Sequence, residues 1–105
     1  MITHVTQNNF EKEVLQSEVP VLVDFWAQWC GPCKIQGEIL DAFSKELDPK
    51  HAKICKVDVD VQQELAYQYR IMSIPTMIAF KGGKVLSKHV GVGNESKLKK
   101  MLDLA

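Results

Sequence analysis

Residues 23–34 read VDFWAQWCGPCK, an apolar run that holds one carboxylate, Asp24, and ends in two cysteines separated by Gly-Pro. The run extends from Val21 to Ala27. Val21, Val23 and Phe25 alternate onto one side, and Leu22, Asp24 and Trp26 onto the other. Apart from Asp24 both sides are apolar, which is the pattern of a central strand covered on both faces. Directly after it, from Pro32 to Leu47, Ile35, Ile39, Leu40, Phe43 and Leu47 form one helical stripe. Pro32 suits the first helical turn, where its fixed φ is preorganised and its missing N–H is no loss. Gly31 lets the chain turn sharply out of the strand.

The same alternation continues outward from this strand–helix unit. Upstream, FEKEVLQ places Phe10, Val14 and Leu15 at helical spacing behind Thr6 as a cap. Downstream, KICKVDVD (Lys53 to Asp60) is a second buried strand, and QQELAYQYR is a short helix. TMIAF and KVLSKHV are two strands joined by Lys81-Gly82-Gly83-Lys84, a hairpin in which the glycines supply positive φ angles. Asn94 caps a last helix that uses Leu98, Met101 and Leu102. Strands alternating with helices give a parallel core with right-handed crossovers, and the closing hairpin adds an antiparallel edge. The expected class is α/β, a three-layer α/β/α sandwich.

At 105 residues the chain suits one domain, taken as 1–105, and it shows no repeat or linker. Thirteen basic and thirteen acidic side chains cancel, so no broad attraction to nucleic acid or anionic membrane is expected. No apolar run approaches the roughly 20 residues that span a bilayer. MITHVTQNNF lacks the basic and apolar parts of a signal peptide, so Met1 is read as the natural start and the address as cytoplasmic. Three cysteines, Cys30, Cys33 and Cys55, are too few and too uneven for a secreted disulfide framework.

Cys-Gly-Pro-Cys lies where a central strand gives way to a helix, the end of a parallel sheet at which reactive sites collect. Residues three apart on a helix have Cβ atoms about 5–6 Å apart. A disulfide needs roughly 3.5–4.5 Å, so the bond forms by tightening the turn. The positive end of the helix favours Cys30 as thiolate, the form that attacks. A closed zinc site would need four ligands, and Cys55, His4, His51 and His89 are scattered. A purely structural bridge across two residues would constrain little chain entropy. Redox chemistry fits best.

Asp24 within the buried strand is desolvated, which raises its pKa. It is either a structural acid paired with a lysine or a proton acceptor for the second cysteine. Ile54, Lys56 and Asp58 alternate together, so Lys56 is placed to face Asp24 from a neighbouring parallel strand. Pro75 in SIPT opens a strand, where its missing N–H is tolerated; it is either punctuation or a cis peptide facing the site. Cys55 alternates with Val57 and Val59 and reads as a small buried hydrophobe.

VDFWAQWCGPCK, KVDVD, SIPT and VGV occur in the order and spacing of the thioredoxin family, which the chain resembles along essentially its whole length. The resemblance implies the thioredoxin fold, with a central mixed five-stranded sheet and four helices. It also implies a redox disulfide between Cys30, the nucleophile, and Cys33, the resolving thiol. Asp24 would be the buried proton acceptor, Lys56 its neighbour and Pro75 a cis-proline beside the disulfide. Trp29, Gly31, Pro32, Val59, Ile74, Gly91 and Val92 would form the surface on which substrates dock. Further implications are a monomer that reduces protein disulfides, with no bound cofactor or metal and electrons drawn from NADPH through a thioredoxin reductase. Three positions depart from the family pattern: Glu38 stands where the family has a helix proline, and Gln36 and Gly37 replace apolar or small helix-favouring residues. The helix is therefore expected to be continuous and straighter than the family norm, and soft at Gly37.

Overall fold

The computed structural model of the chain describes residues 2–104. The elements run β1 (Ile2–His4), α1 (Glu11–Leu15), β2 (Val21–Trp26), α2 (Gly31–Glu46), β3 (Lys53–Asp58), α3 (Gln63–Gln68), β4 (Thr76–Lys81), β5 (Lys84–Val90) and α4 (Glu95–Met101). The five strands form one sheet in the order β1-β3-β2-β4-β5. β1, β3 and β2 are parallel, whereas β4 runs antiparallel to β2, and β5 antiparallel to β4. The strand quoted at the outset is thus the central one, as its two apolar faces require.

Those faces feed two separate cores. Val21, Val23 and Phe25 pack with Phe10 and Val14 of the first helical segment, Leu65 of α3, and Cys55, Val57, Ile78 and Phe80. Leu22 packs on the opposite side with Leu40 and Phe43 of α2, Leu98 and Met101 of α4, and Ile54, Met77 and Ala79. The three layers follow: α1 and α3 on one side of the sheet, α2 and α4 on the other.

Local signals explain most boundaries. α1 is a single wide turn shorter than the stretch expected, and Thr6 Oγ1 accepts from the Asn8 N–H ahead of it at 3.2 Å. β3 stops at Asp58, two residues early, because the Asp58 carboxylate accepts from the Asp60 N–H at 2.9 Å and turns the chain. Gly82 and Gly83 take φ of 60° and 80° in the β4–β5 hairpin. Asn94 Oδ1 accepts from the Lys97 N–H at 2.9 Å and caps α4.

α2 is one unbroken helix of 16 residues through Gly37 and Glu38. Its buried side chains are Cys33, Gln36, Leu40 and Phe43, so the inward face differs from the expected stripe. Ile35 is 54% exposed, while Gln36 is fully buried. A 3.6-residue period that places Leu40 and Phe43 inward puts position 36 there and turns position 35 away.

Candidate active site

β2 ends at Trp26, and a short turn follows in which the Cys30 N–H donates to the Ala27 carbonyl at 3.3 Å. Cys30 caps α2 in an extended conformation, and its Sγ accepts from the Cys33 N–H at 3.1 Å. Gly31 is the first helical residue and does not take a positive φ. The turn out of the strand therefore does not depend on its flexibility. Cys30 and Cys33 are joined by a disulfide, with Cα atoms 5.2 Å apart, inside the range such bonds need.

Cys30 is only 4% exposed, less than its place at a helix end suggests. It is reached through an apolar cleft of about 480 Å³ lined by Trp29, Cys30, Gly31, Pro32, Val59, Ile71, Met72, Ser73 and Ile74. Five of the seven residues expected at the docking surface therefore meet here. Gly91 and Val92 lie outside the cleft, but the Gly91 N–H donates to the Pro75 carbonyl at 2.8 Å. The Ile74–Pro75 peptide is cis. Cys30 Sγ sits 3.8 Å from the Ile74 carbonyl oxygen, so the segment that carries Pro75 borders the disulfide directly.

Ile71, Met72 and Ser73 form one wall of the cleft and were not apparent from the sequence. They are delivered by the end of α3, where the Ile71 N–H reaches the Ala66 carbonyl at 2.9 Å and the Arg70 N–H reaches Tyr67 at 3.1 Å. Those two bonds close the helix in a Schellman turn, which puts Arg70 in the left-handed region at φ 54°. Met72 is 94% exposed at the rim. On the other side, the Trp29 indole N–H donates to Asp60 at 2.8 Å and fixes the ring that borders the cleft.

Behind the disulfide, Cys33, Trp26, Lys56 and Gly37 line a second hollow. Asp24 is fully buried, and neither carboxylate oxygen has a hydrogen-bond partner among the described residues. Desolvation pushes its pKa up to about 7, against the opposing pull of the Lys56 charge. Lys56 faces Asp24 directly in the β2–β3 register. Its ammonium lies over the Trp26 ring, 4.6 Å from the centroid. Cys55 is buried on the opposite face, where desolvation first of all pushes its thiol up to about 11. Among the described residues no group of three or more His, Cys, Asp or Glu is placed to hold a metal ion. Among the described residues no helix is long and apolar enough to cross a membrane.

A reversible disulfide at the start of a helix, an apolar cleft beside it and a buried acid behind it make a site for thiol–disulfide exchange. Comparison with known proteins agrees. The family model described as Thioredoxin matches residues 1–104. The chain is 45% identical over 98 residues to a thioredoxin of Rickettsia felis, covering 93% of this chain and 92% of the relative. It is 41% identical over 102 residues to a thioredoxin of Pseudomonas aeruginosa, covering 97% and 94%. It is 44% identical over 102 residues to thioredoxin C-2 of Corynebacterium nephridii, again covering 97% and 94%.

Proposed function

Since the chain belongs to the thioredoxin family and is a dithiol–disulfide oxidoreductase that reduces protein disulfides, we propose how its residues divide that work. Cys30 thiolate attacks one sulfur of a substrate disulfide, forming a mixed disulfide and releasing the other sulfur as thiolate. Cys33 then gives its proton to Asp24 and attacks Cys30 Sγ. This closes the Cys30–Cys33 bond and frees the second substrate sulfur. The substrate gains two electrons and the dithiol loses them.

Asp24 suits the proton step because burial holds its pKa near neutrality, where it both accepts and returns a proton. Lys56 biases that acid toward ionisation, and Pro75 borders the disulfide at the Ile74 carbonyl. Trp29, Gly31, Pro32, Val59 and Ile74 receive the partner in the cleft, with Gly91 and Val92 extending the surface. The chain works as a single domain, 1–105, and as a cytoplasmic monomer without nucleic-acid partners. A thioredoxin reductase returns it to the dithiol at the expense of NADPH.

The observation that carries this division is the Cys30–Cys33 disulfide at an apolar cleft. Insulin reduction by dithiothreitol tests it. The wild-type chain should accelerate the reaction and Cys30→Ser should not; equal acceleration by both would remove Cys30 from the chemistry.

A further inference from the structure

The buried polar or charged side chains among the described residues are Asp24, Thr76 and Gln36. Asp24 serves the proton step, and Thr76 Oγ1 donates to the Ser73 carbonyl at 2.6 Å. Gln36 occupies an inward position of α2, one turn beyond Cys33. Its Nε2 donates to the Gly93 carbonyl at 3.1 Å, and its Oε1 accepts from the Gly93 N–H at 2.7 Å. One amide thus engages both polar backbone groups of a single residue, 57 positions away in sequence. Gly93 is itself buried, and a Cβ there would stand 3.0 Å from Met77 Cε and 3.3 Å from Lys97 Cγ. The backbone approaches this closely because position 93 has no side chain.

The segment Gly91–Gly93 is therefore fastened twice. The Gly91 N–H holds it to Pro75, and Gln36 holds it to the helix that begins at Cys30. Val92 projects between the two anchors and is 40% exposed. We propose that Gln36 is a positioning residue that keeps the Gly91–Val92 rim aligned with Cys30 for protein substrates. The inference rests on placing Gly91 and Val92 in the docking surface. An apolar residue at position 36 would fill the space but leave the Gly93 N–H and carbonyl buried without partners. The loop would then have to move toward water to satisfy them.

The test compares Gln36→Met and Gln36→Ile with the wild type, each reduced beforehand and mixed with an oxidised protein or a small aromatic disulfide. The small disulfide reaches Cys30 without touching the rim, so its rate reads the chemistry at Cys30 alone, and a cooperative urea unfolding curve shows that each variant is folded. The expected result is a fall of about fivefold in rate on the protein disulfide, the size of one net hydrogen bond, with less than about twofold change on the small one. Equal losses on both substrates, or no loss on either, would overturn the positioning role while leaving the reductase reading intact. A wild-type chain inert toward both disulfides would overturn that reading, and the positioning role with it.

Discussion

Asp24 and Lys56 stand opposite each other in the parallel β2–β3 register, yet they form no ion pair. The ion pairs among the described residues are Lys53–Glu13 and Lys99–Glu95. The lysine stacks over Trp26 instead, and the acid remains buried without a hydrogen-bond partner among the described residues. An acid so placed costs the fold stability when it ionises.

The sign of that cost is testable. Burial raises the Asp24 pKa from 3.8 to about 7, so between those values the folded chain binds more protons than the unfolded one. Stability should fall as pH rises through this window and level off above it. The full effect is on the order of 4 kcal/mol at 1.36 kcal/mol per pKa unit. Asp24→Asn should therefore stabilise the protein by about 2–4 kcal/mol at pH 8 and hardly at all near pH 4, as read by urea unfolding. The same variant should slow disulfide reduction at pH 7 and lose the rise in rate through that pH. Unchanged activity with lower stability would make Asp24 a structural acid only.

Arg70 holds a left-handed conformation at the end of α3, where glycine is the favoured residue. Arg70→Gly should stabilise the chain by about 0.5–1 kcal/mol, since it removes the steric cost of a Cβ at positive φ. Thermal unfolding checks this. A destabilised variant would mean that the Arg70 side chain contributes more than its backbone costs.

Cys55 is fully buried among Val23, Val57 and Ile78. With its thiol pushed up to about 11, it should resist alkylation at pH 8 in the folded, oxidised protein and react only after denaturation. Cys55→Val should fold normally, whereas Cys55→Ser should lose about 1–2 kcal/mol by burying a hydroxyl. Mass spectrometry of alkylated protein reads the first expectation, and rapid labelling of native protein would contradict it.

The fold was legible because its signals are local and periodic. The two-faced run Val21–Trp26 marks the central strand, Gly82-Gly83 marks the hairpin, and Asn94 marks the cap of α4. The positions of Cys30, Cys33 and Asp24 and the facing of Lys56 follow from the same alternation. What sequence missed depends on phase and distance. Ile35 looked buried because it is apolar, but the helical period turns it outward and admits Gln36. Gln36 is stable inside only because Gly93 supplies a donor and an acceptor, a pairing that no local pattern announces. The wall Ile71–Ser73 likewise reaches the cleft through the left-handed exit at Arg70, where composition gives no hint of a turn.

The division of labour between the two thiols is tested most directly by trapping. Cys30→Ser and Cys33→Ser are each reduced, mixed with an oxidised protein and run on non-reducing gels. Cys33→Ser should accumulate a covalent complex that dithiothreitol dissolves, because Cys30 still attacks but nothing displaces the bound substrate. Cys30→Ser should form none, since a serine hydroxyl is not appreciably ionised at neutral pH. Equal trapping by both variants, or trapping by neither, would contradict Cys30 as the nucleophile.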